Sequence, residues 1–262
     1  MRLPCVRMDL RFEQRLVVVP AYNEADTVGR VVRAIHRHAP EWEVLVVDDG
    51  STDKTGANAR LAGSEVLRLP FNLGIGGAMQ AGFVYALERG YDLMVQVDAD
   101  GQHDPQEISK LVEAREEHPV DMVCGSRFIG ADRHYPAPIS RRTGIHLFAF
   151  LLSRIVGQRV SDPTSGFRLY NRRAIELFAR DYPHDYPEVE AVLMLHHHRL
   201  RMREEQVHMY ERGGGVSSIS SGKSVYYMIK VLLAIGVGLV RRRPVISPGD
   251  AAPVSSAGAG IG

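Results

Sequence analysis

Residues 16–51 read LVVVPAYNEADTVGRVVRAIHRHAPEWEVLVVDDGS. The runs Leu16–Val19 and Val44–Val47 are short, continuous and rich in valine, which suits strands buried on both faces. Between them Val28, Val31, Val32 and Ile35 recur at i, i+3, i+4 and i+7, the period of an amphipathic helix, with Asp26 and Thr27 placed to cap its start. Working outward, Val66–Leu69, Leu93–Val97 and Met122–Cys124 read as further strands. Ala78–Leu87 and Ile108–Ala114 repeat the helical period, the second opened by Asp104-Pro105. The predicted order β-α-β-α-β-α-β-α-β is that of a sheet covered by helices. Beyond Arg127 the alternation stops: Pro136 and Pro138 lead to a helix over Ser140 to about Val156, and Arg168–Tyr170 is a further strand candidate.

The chain has 262 residues, 45% apolar and 24% charged, enough for one α/β domain with an appendage. Cys5 and Cys124 are too few for a disulfide framework or a cysteine zinc site. The opening MRLPCVRMDLRFEQRL mixes charged with apolar residues and does not read as a signal peptide, so a cytoplasmic setting is expected. A net charge of +1 argues against nucleic acid as a partner. That average hides a polarity: residues 41–126 carry 16 acidic and 6 basic side chains, residues 127–180 carry 10 basic and 3 acidic, every basic one an arginine. A cation site beside an anion site would have this pattern. Val225–Val240 is the most apolar stretch and ends in Arg241-Arg242-Arg243; it is too short to span a bilayer, and suits either a helix on an anionic leaflet or one packed on the core. The expected domains are an N-terminal extension over 1–14, the catalytic domain over 15–223, the apolar helix over 224–243, and a small-residue tail over 244–262.

Three motifs fall at the carboxyl ends of predicted strands, where open α/β sheets place their ligand crevice. They are Pro20-Ala21-Tyr22-Asn23-Glu24, Asp48-Asp49-Gly50-Ser51 and Asp98-Ala99-Asp100-Gly101-Gln102. Two carboxylates two residues apart, Asp98 and Asp100, suit Mg²⁺ or Mn²⁺, which needs few protein ligands and completes its shell with water and phosphate oxygens. Gly74, Gly76 and Gly77 follow the third strand, not the first, so they are no dinucleotide fingerprint, and there is no P-loop sequence. They suit a close backbone approach to a nucleotide sugar at a helix start.

Taken together, VVVPAYNEADTV, VLVVDDGSTDKT, NLGIGGAMQAG, VQVDADGQHDP and SDPTSGFRLYNR resemble the family 2 glycosyltransferases over about residues 15–220. They resemble in particular the branch of dolichol-phosphate mannosyltransferase and the bacterial polyprenyl-phosphate glycosyltransferases. The resemblance implies a GT-A type, Rossmann-like, mostly parallel sheet with helices on both faces, plus a C-terminal amphipathic helix. It implies that Pro20, Tyr22, Glu24 and Asp49 line the nucleoside site, that Asp98 lies near ribose and metal, and that Asp100 and Gln102 ligate the cation on the diphosphate. A metal that neutralises charge developing on a departing diphosphate lowers the barrier. In the lipid-phosphate branch the matching Arg127 and Arg141 hold the acceptor phosphate, a task suited to guanidinium forks. Ser165 would lie beside acceptor and sugar, and Arg212, before three glycines, in a loop that closes on the diphosphate.

A phosphomonoester oxygen is already ionised near neutral pH and needs positioning, not a base. A sugar hydroxyl acceptor would need one, and Glu188 or Glu190 stands where hydroxyl-transferring relatives keep it. His196, His197 and His198 are consecutive and cannot converge on one ion from a helix, whereas His103 flanks the acidic motif. The sequence therefore predicts a metal-dependent inverting transferase moving a hexose from a nucleoside diphosphate sugar to a polyprenyl phosphate, peripheral at the inner face of the cytoplasmic membrane. The alternatives are transfer to a sugar hydroxyl of a polysaccharide or glycolipid, and a non-catalytic nucleotide-sugar-binding partner subunit. Base, sugar, lipid length and oligomeric state stay open.

Overall fold

The computed structural model describes residues 13–129, 139–184 and 186–210, with side chains for all of these except 139–146. Strands β1 (Arg15–Ala21), β2 (Glu43–Asp48), β3 (Glu65–Arg68), β4 (Leu93–Gln96) and β5 (Met122–Ser126) alternate with helices α1 (Val28–His38), α2 (Thr55–Leu61), α3 (Gly74–Arg89) and α4 (Ile108–Glu117). Then come α5 (Ile139–Val156), β6 (Arg168–Asn171), α6 (Arg172–Arg180), α7 (Pro187–His197) and β7 (Met202–Gln206). One seven-stranded sheet results, in the order β3-β2-β1-β4-β6-β5-β7. All pairings are parallel except those of β6, which runs antiparallel between β4 and β5. The expected mostly parallel sheet with helices on both faces is what forms.

Alternation along β1 explains the two cores. Leu16 and Val18 join Met79 and Phe83 of α3, Tyr170 of β6 and Phe178 of α6 on one face. Val17 and Val19 join Val28, Val31, Val32 and Ile35 of α1 and Ile108 and Leu111 of α4 on the other. The first core is knit by aromatic contacts: the Phe83 ring lies 4.9 Å from Tyr170 and 5.2 Å from Phe178. Each such pair adds about 0.5–1.5 kcal/mol beyond its burial.

Local chemistry fixes the helix starts. Asp104 accepts from the Gln106 N–H at 3.0 Å, and Pro105 occupies the first position of a short 3-10 turn leading into α4. Thr27 stands at the N-cap of α1, but its hydroxyl donates to Glu24 Oε2 at 2.7 Å instead of accepting from the helix. Helix α3 begins at Gly74, four residues before the expected Ala78, and ends at Gly90 in the left-handed region (φ 83°). Among the described residues no helix is long and apolar enough to cross a membrane. Arg212, the apolar stretch over 224–243, the tail over 244–262 and residues 1–12 of the expected extension lie outside the described residues.

Candidate active site

The carboxyl ends of β1, β2 and β4 meet at one rim. Pro20 is buried in β1, opposite Val47 of β2, beyond the last β1–β4 partner pair at Val18 and Gln96. Proline is tolerated there because its missing N–H falls where the ladder toward β4 has ended. The following loop is stitched to the one after β2. The Asn23 N–H donates to Ser51 Oγ (3.0 Å), Asn23 Oδ1 accepts from the Thr52 N–H (2.9 Å), and the Glu24 N–H donates to Thr55 Oγ1 (2.8 Å). Asn23 is left-handed (φ 55°), a conformation asparagine tolerates, and the turn leaves the Tyr22 ring 46% exposed above the rim. Asp48 is wholly buried and accepts from the Ser51 N–H. Asp49 is buried too, its two oxygens accepting from the Leu73 and Gly74 N–H groups at 2.7 and 2.9 Å. A carboxylate of the chain itself thus sits at the N-terminus of α3. Gly76 packs against backbone: a Cβ there would stand 2.4 Å from the Pro183 carbonyl oxygen.

The acidic loop after β4 is equally constrained. Asp98 Oδ1 accepts from Gln96 Nε2 (3.1 Å), and its N–H donates to His103 Nδ1 (3.0 Å). Because Nδ1 accepts, the neutral imidazole carries its proton on Nε2, which faces Asp98 Oδ2 at 3.6 Å. The His103 ring stacks on Phe167 at 5.0 Å. Asp98 keeps 36% of its side chain exposed, whereas Asp100 is buried and accepts from the Gln102 N–H (3.0 Å) around Gly101, whose φ is +80°. The loop is held from behind by the last described residues: the Tyr210 N–H donates to the Gln102 carbonyl (2.8 Å), and its hydroxyl to Asp104 Oδ2 (2.8 Å). Among the described residues no cluster of three or more His, Cys, Asp or Glu side chains could hold a metal by itself. The donors present, two carboxylates and an amide oxygen, fit a hard cation bound mainly through water and phosphate.

Across from this rim lies a second wall. Arg127, just past β5, donates from Nε to Asp162 Oδ2 (2.7 Å), and from Nη2 to Asp162 Oδ1 (2.8 Å) and Thr164 Oγ1 (3.0 Å). Glu204 of β7, which sequence reading misses, accepts from the Ser161 N–H (2.8 Å) and the Asp162 N–H (2.9 Å), so it holds the residue that holds Arg127. Burial pushes the Glu204 pKa up against those amide bonds. Ser165 is buried, and its hydroxyl accepts from the Phe167 N–H at 3.3 Å. Next to it a Cβ on Gly166 would come within 2.8 Å of Gln96 Nε2 and 3.3 Å of Asp98 Oδ2, so this turn touches the acidic rim. Glu188 and Glu190 lie in the first turn of α7, both half-buried. Burial raises the Glu188 pKa, Arg168 lowers it and Asp98 raises it, which places the carboxyl within the field of both. Arg141 lies in the first turn of α5, its side chain beyond what is described. His196 and His197 are exposed on α7, away from any metal cluster.

Residues 16–178 match the family model described as Glycosyl transferase family 2. The chain is 34% identical over 231 residues to polyprenol monophosphomannose synthase of Mycolicibacterium smegmatis, covering 84% of this chain and 86% of that protein. It is 35% identical over 216 residues to undecaprenyl-phosphate mannosyltransferase of Micrococcus luteus, covering 79% and 88%. Among solved structures it resembles glucosyl-3-phosphoglycerate synthase of Mycobacterium tuberculosis in complex with Mn²⁺, UDP and glucosyl-3-phosphoglycerate, with a TM-score of 0.65 and 19% identity over 89% of this chain and 82% of that one. That likeness concerns the fold.

Proposed function

We propose, from the premise that this chain belongs to glycosyl transferase family 2, that it moves a hexose from a nucleoside diphosphate sugar to a polyprenyl phosphate by a single inverting displacement. That it is a glycosyltransferase follows from the family; donor, acceptor and metal are this reading's own. The observation that carries it is the close approach of Gly166, with no room for a Cβ, to Gln96 and Asp98, which supports a turn tied to Arg127 lying beside the acidic rim. The similarity to two polyprenyl-phosphate mannosyltransferases over most of their length supports the acceptor class.

Pro20, Tyr22, Glu24 and Asp49 form the nucleoside side, with Tyr22 offering a ring face and Asp49 the second lone pairs of its engaged oxygens. Gly76, at the start of α3, belongs to the same side, and Arg212 would supply a basic group to the diphosphate. Asp98, Asp100 and Gln102 would hold Mg²⁺ or Mn²⁺, which when bound neutralises charge on the departing diphosphate. Arg127, with Arg141 from α5 and Ser165 nearby, orients the acceptor phosphate toward the anomeric carbon. That phosphate arrives ionised, so no residue need remove a proton from it. The work belongs at the inner face of the cytoplasmic membrane, where the protein meets its lipid peripherally.

The half-buried Glu188, with its raised pKa beside Asp98, favours one second reading, in which it acts as base toward a sugar hydroxyl. Screening UDP-, GDP- and dTDP-sugars with Mn²⁺ by thermal shift selects the donor, since a ligand of the folded state raises Tm. Label from that donor should then enter an organic-extractable, mild-acid-labile product when polyprenyl phosphate is supplied. Asp100→Ala should abolish transfer with the fold intact. An acid-stable glycoside instead transfers the assignment to Glu188, and full activity in a chelator refutes the metal role.

A further inference from the structure

A wholly buried arginine lies directly behind the site and has no part in the reaction as written so far. Arg168 opens β6, paired with Gln96 of β4 and Cys124 of β5, and is 1% exposed. Its sheet neighbours on the same face, Cys124 and Tyr170, belong to the hydrophobic core. An aliphatic residue would fill this position without the desolvation cost of a charge. The guanidinium instead binds three carbonyls on two separate segments. Nε donates to the Ser165 carbonyl (2.8 Å), while Nη2 donates to those of Pro163 (3.3 Å) and Glu188 (2.8 Å). Nη1 is buried and finds no hydrogen-bond partner among the described residues. The first two carbonyls belong to the turn that carries Ser165 and Gly166 against Asp98; the third belongs to the first turn of α7, which carries Glu188.

We propose that Arg168 is a positioning residue for sugar transfer: by clamping the 162–166 turn and the start of α7 together, it shapes Ser165, Gly166 and Glu188 into the wall that meets the sugar beside Asp98. This rests on the reading of Asp98 as part of the transfer site. Arginine suits the task because its planar fork donates in several fixed directions, where lysine donates from a single atom. Among the described residues none of the hydrogen bonds of Arg168 reaches the stitched loops after β1 and β2, so the hydrogen bonding of those loops does not depend on it.

The test uses the full chain as Arg168→Met and Arg168→Lys, with Gly166→Ala moving the same turn by crowding Gln96 and Asp98. Calorimetry with Mn²⁺ measures affinity for the selected nucleotide sugar and for its nucleoside diphosphate alone; the ratio isolates the sugar wall and requires no turnover. Arg168→Met should lower that ratio at least fivefold with diphosphate affinity unchanged, and lower kcat about 100-fold, the usual effect of an ångström-scale misplacement. Arg168→Lys should recover part of both, and Gly166→Ala should reproduce the ratio change if Arg168→Met does not fold. A core staple alone would lower Tm but leave ratio and kcat within threefold of the parent, which overturns the proposal; so does a parallel loss of diphosphate binding. Hydrolysis of the donor by water keeps the two readings apart. A parent that hydrolyses donor but glycosylates no polyprenyl phosphate refutes the acceptor assignment, while the effect of Arg168→Met on that hydrolysis still decides the clamp.

Discussion

Gly76→Ala is a small change with a large geometric consequence. An alanine Cβ would stand 2.4 Å from the Pro183 carbonyl oxygen, 2.5 Å from His184 Cα and 2.8 Å from the His184 carbonyl oxygen. All three are backbone atoms, so no side chain can swing aside, and α3 must separate from the 183–184 segment by about 1 Å to restore van der Waals contact. Overpacking of this kind costs about 1–3 kcal/mol. Alanine returns about 0.5–1 kcal/mol through its helix propensity. The net destabilisation, centred on about 1 kcal/mol, corresponds to a Tm lower by about 2–4 °C for a domain of this size. The displaced segment leads into α7 and Glu188, so kcat should fall with it; nucleoside diphosphate affinity should fall less, because the stitched loops are untouched and only the Asp49 bonds to Leu73 and Gly74 border the moving helix. Thermal denaturation and calorimetry on the same preparation measure both. An unchanged or raised Tm together with weakened nucleotide binding would refute the packing argument and make Gly76 a direct donor contact.

Two further outcomes are expected. Asp162→Asn removes the negative charge of the clamp on the nearly buried Arg127 and one of its two acceptor oxygens, a loss of about 3 kcal/mol in urea denaturation, and should raise KM for polyprenyl phosphate more than for the donor; equal stability would show the pair to be idle. Glu204 has a folded pKa raised from 4.5, so its stabilising contribution is present below that value and lost as pH rises through the folded one. Glu204→Gln should therefore compare least favourably with the parent in acid and gain toward neutrality, and a difference in unfolding free energy that stays flat from pH 4 to 8 would contradict the raised value.

Most of the strands that sequence reveals are buried on both faces; β3, read from Val66–Leu69, is a half-exposed edge strand found through its β-branched start. Valine runs such as Val17–Val19 and Val44–Val47 suit the middle of a sheet, and the helices between them show their period because only one side of each is wet. β7 escapes for the opposite reason: Met202–Gln206 is an edge strand, half-exposed or exposed throughout, and its residues MREEQ read as a solvated turn. The antiparallel insertion of β6 is also invisible, since chain order does not say that the strand after β5 enters between β5 and β4. In the site, the strand-end acidic motifs are legible and their hydrogen bonds are not. Asp49 meets the amides that open α3 and Asp162 meets Arg127, two unlike tasks for residues of one type. A polar residue inside an apolar strand is the signal that would have found the missing members: Gln96 ends LMVQ and Arg168 opens RLYN, and each is buried because it binds the turn beyond it.

If Arg127 faces the acceptor phosphate, as proposed, its ion pair changes how that wall must work. A bare guanidinium would attract a phosphate by its own charge, but here Nε and Nη2 already face Asp162, and the carboxylate of Glu204 supports the same turn. The positive field of this corner is therefore much smaller than one arginine suggests, and a phosphate dianion gains little from Arg127 as a point charge. What the pair supplies is direction: a planar donor held by a fully buried carboxylate cannot turn away when the lipid is absent, so its orientation is settled before binding. On the proposed reading the attraction must then come from other basic residues. Within the run of arginines over residues 127–180, Arg172 and Arg173 already face Glu176 and Asp121, whereas Arg141 and Arg142 stand in the first turn of α5, on an element separate from the Asp162 turn. On that reading Arg127 aims and the start of α5 attracts. A site divided in this way would discriminate a phosphate from a neutral hydroxyl by geometry as well as by charge.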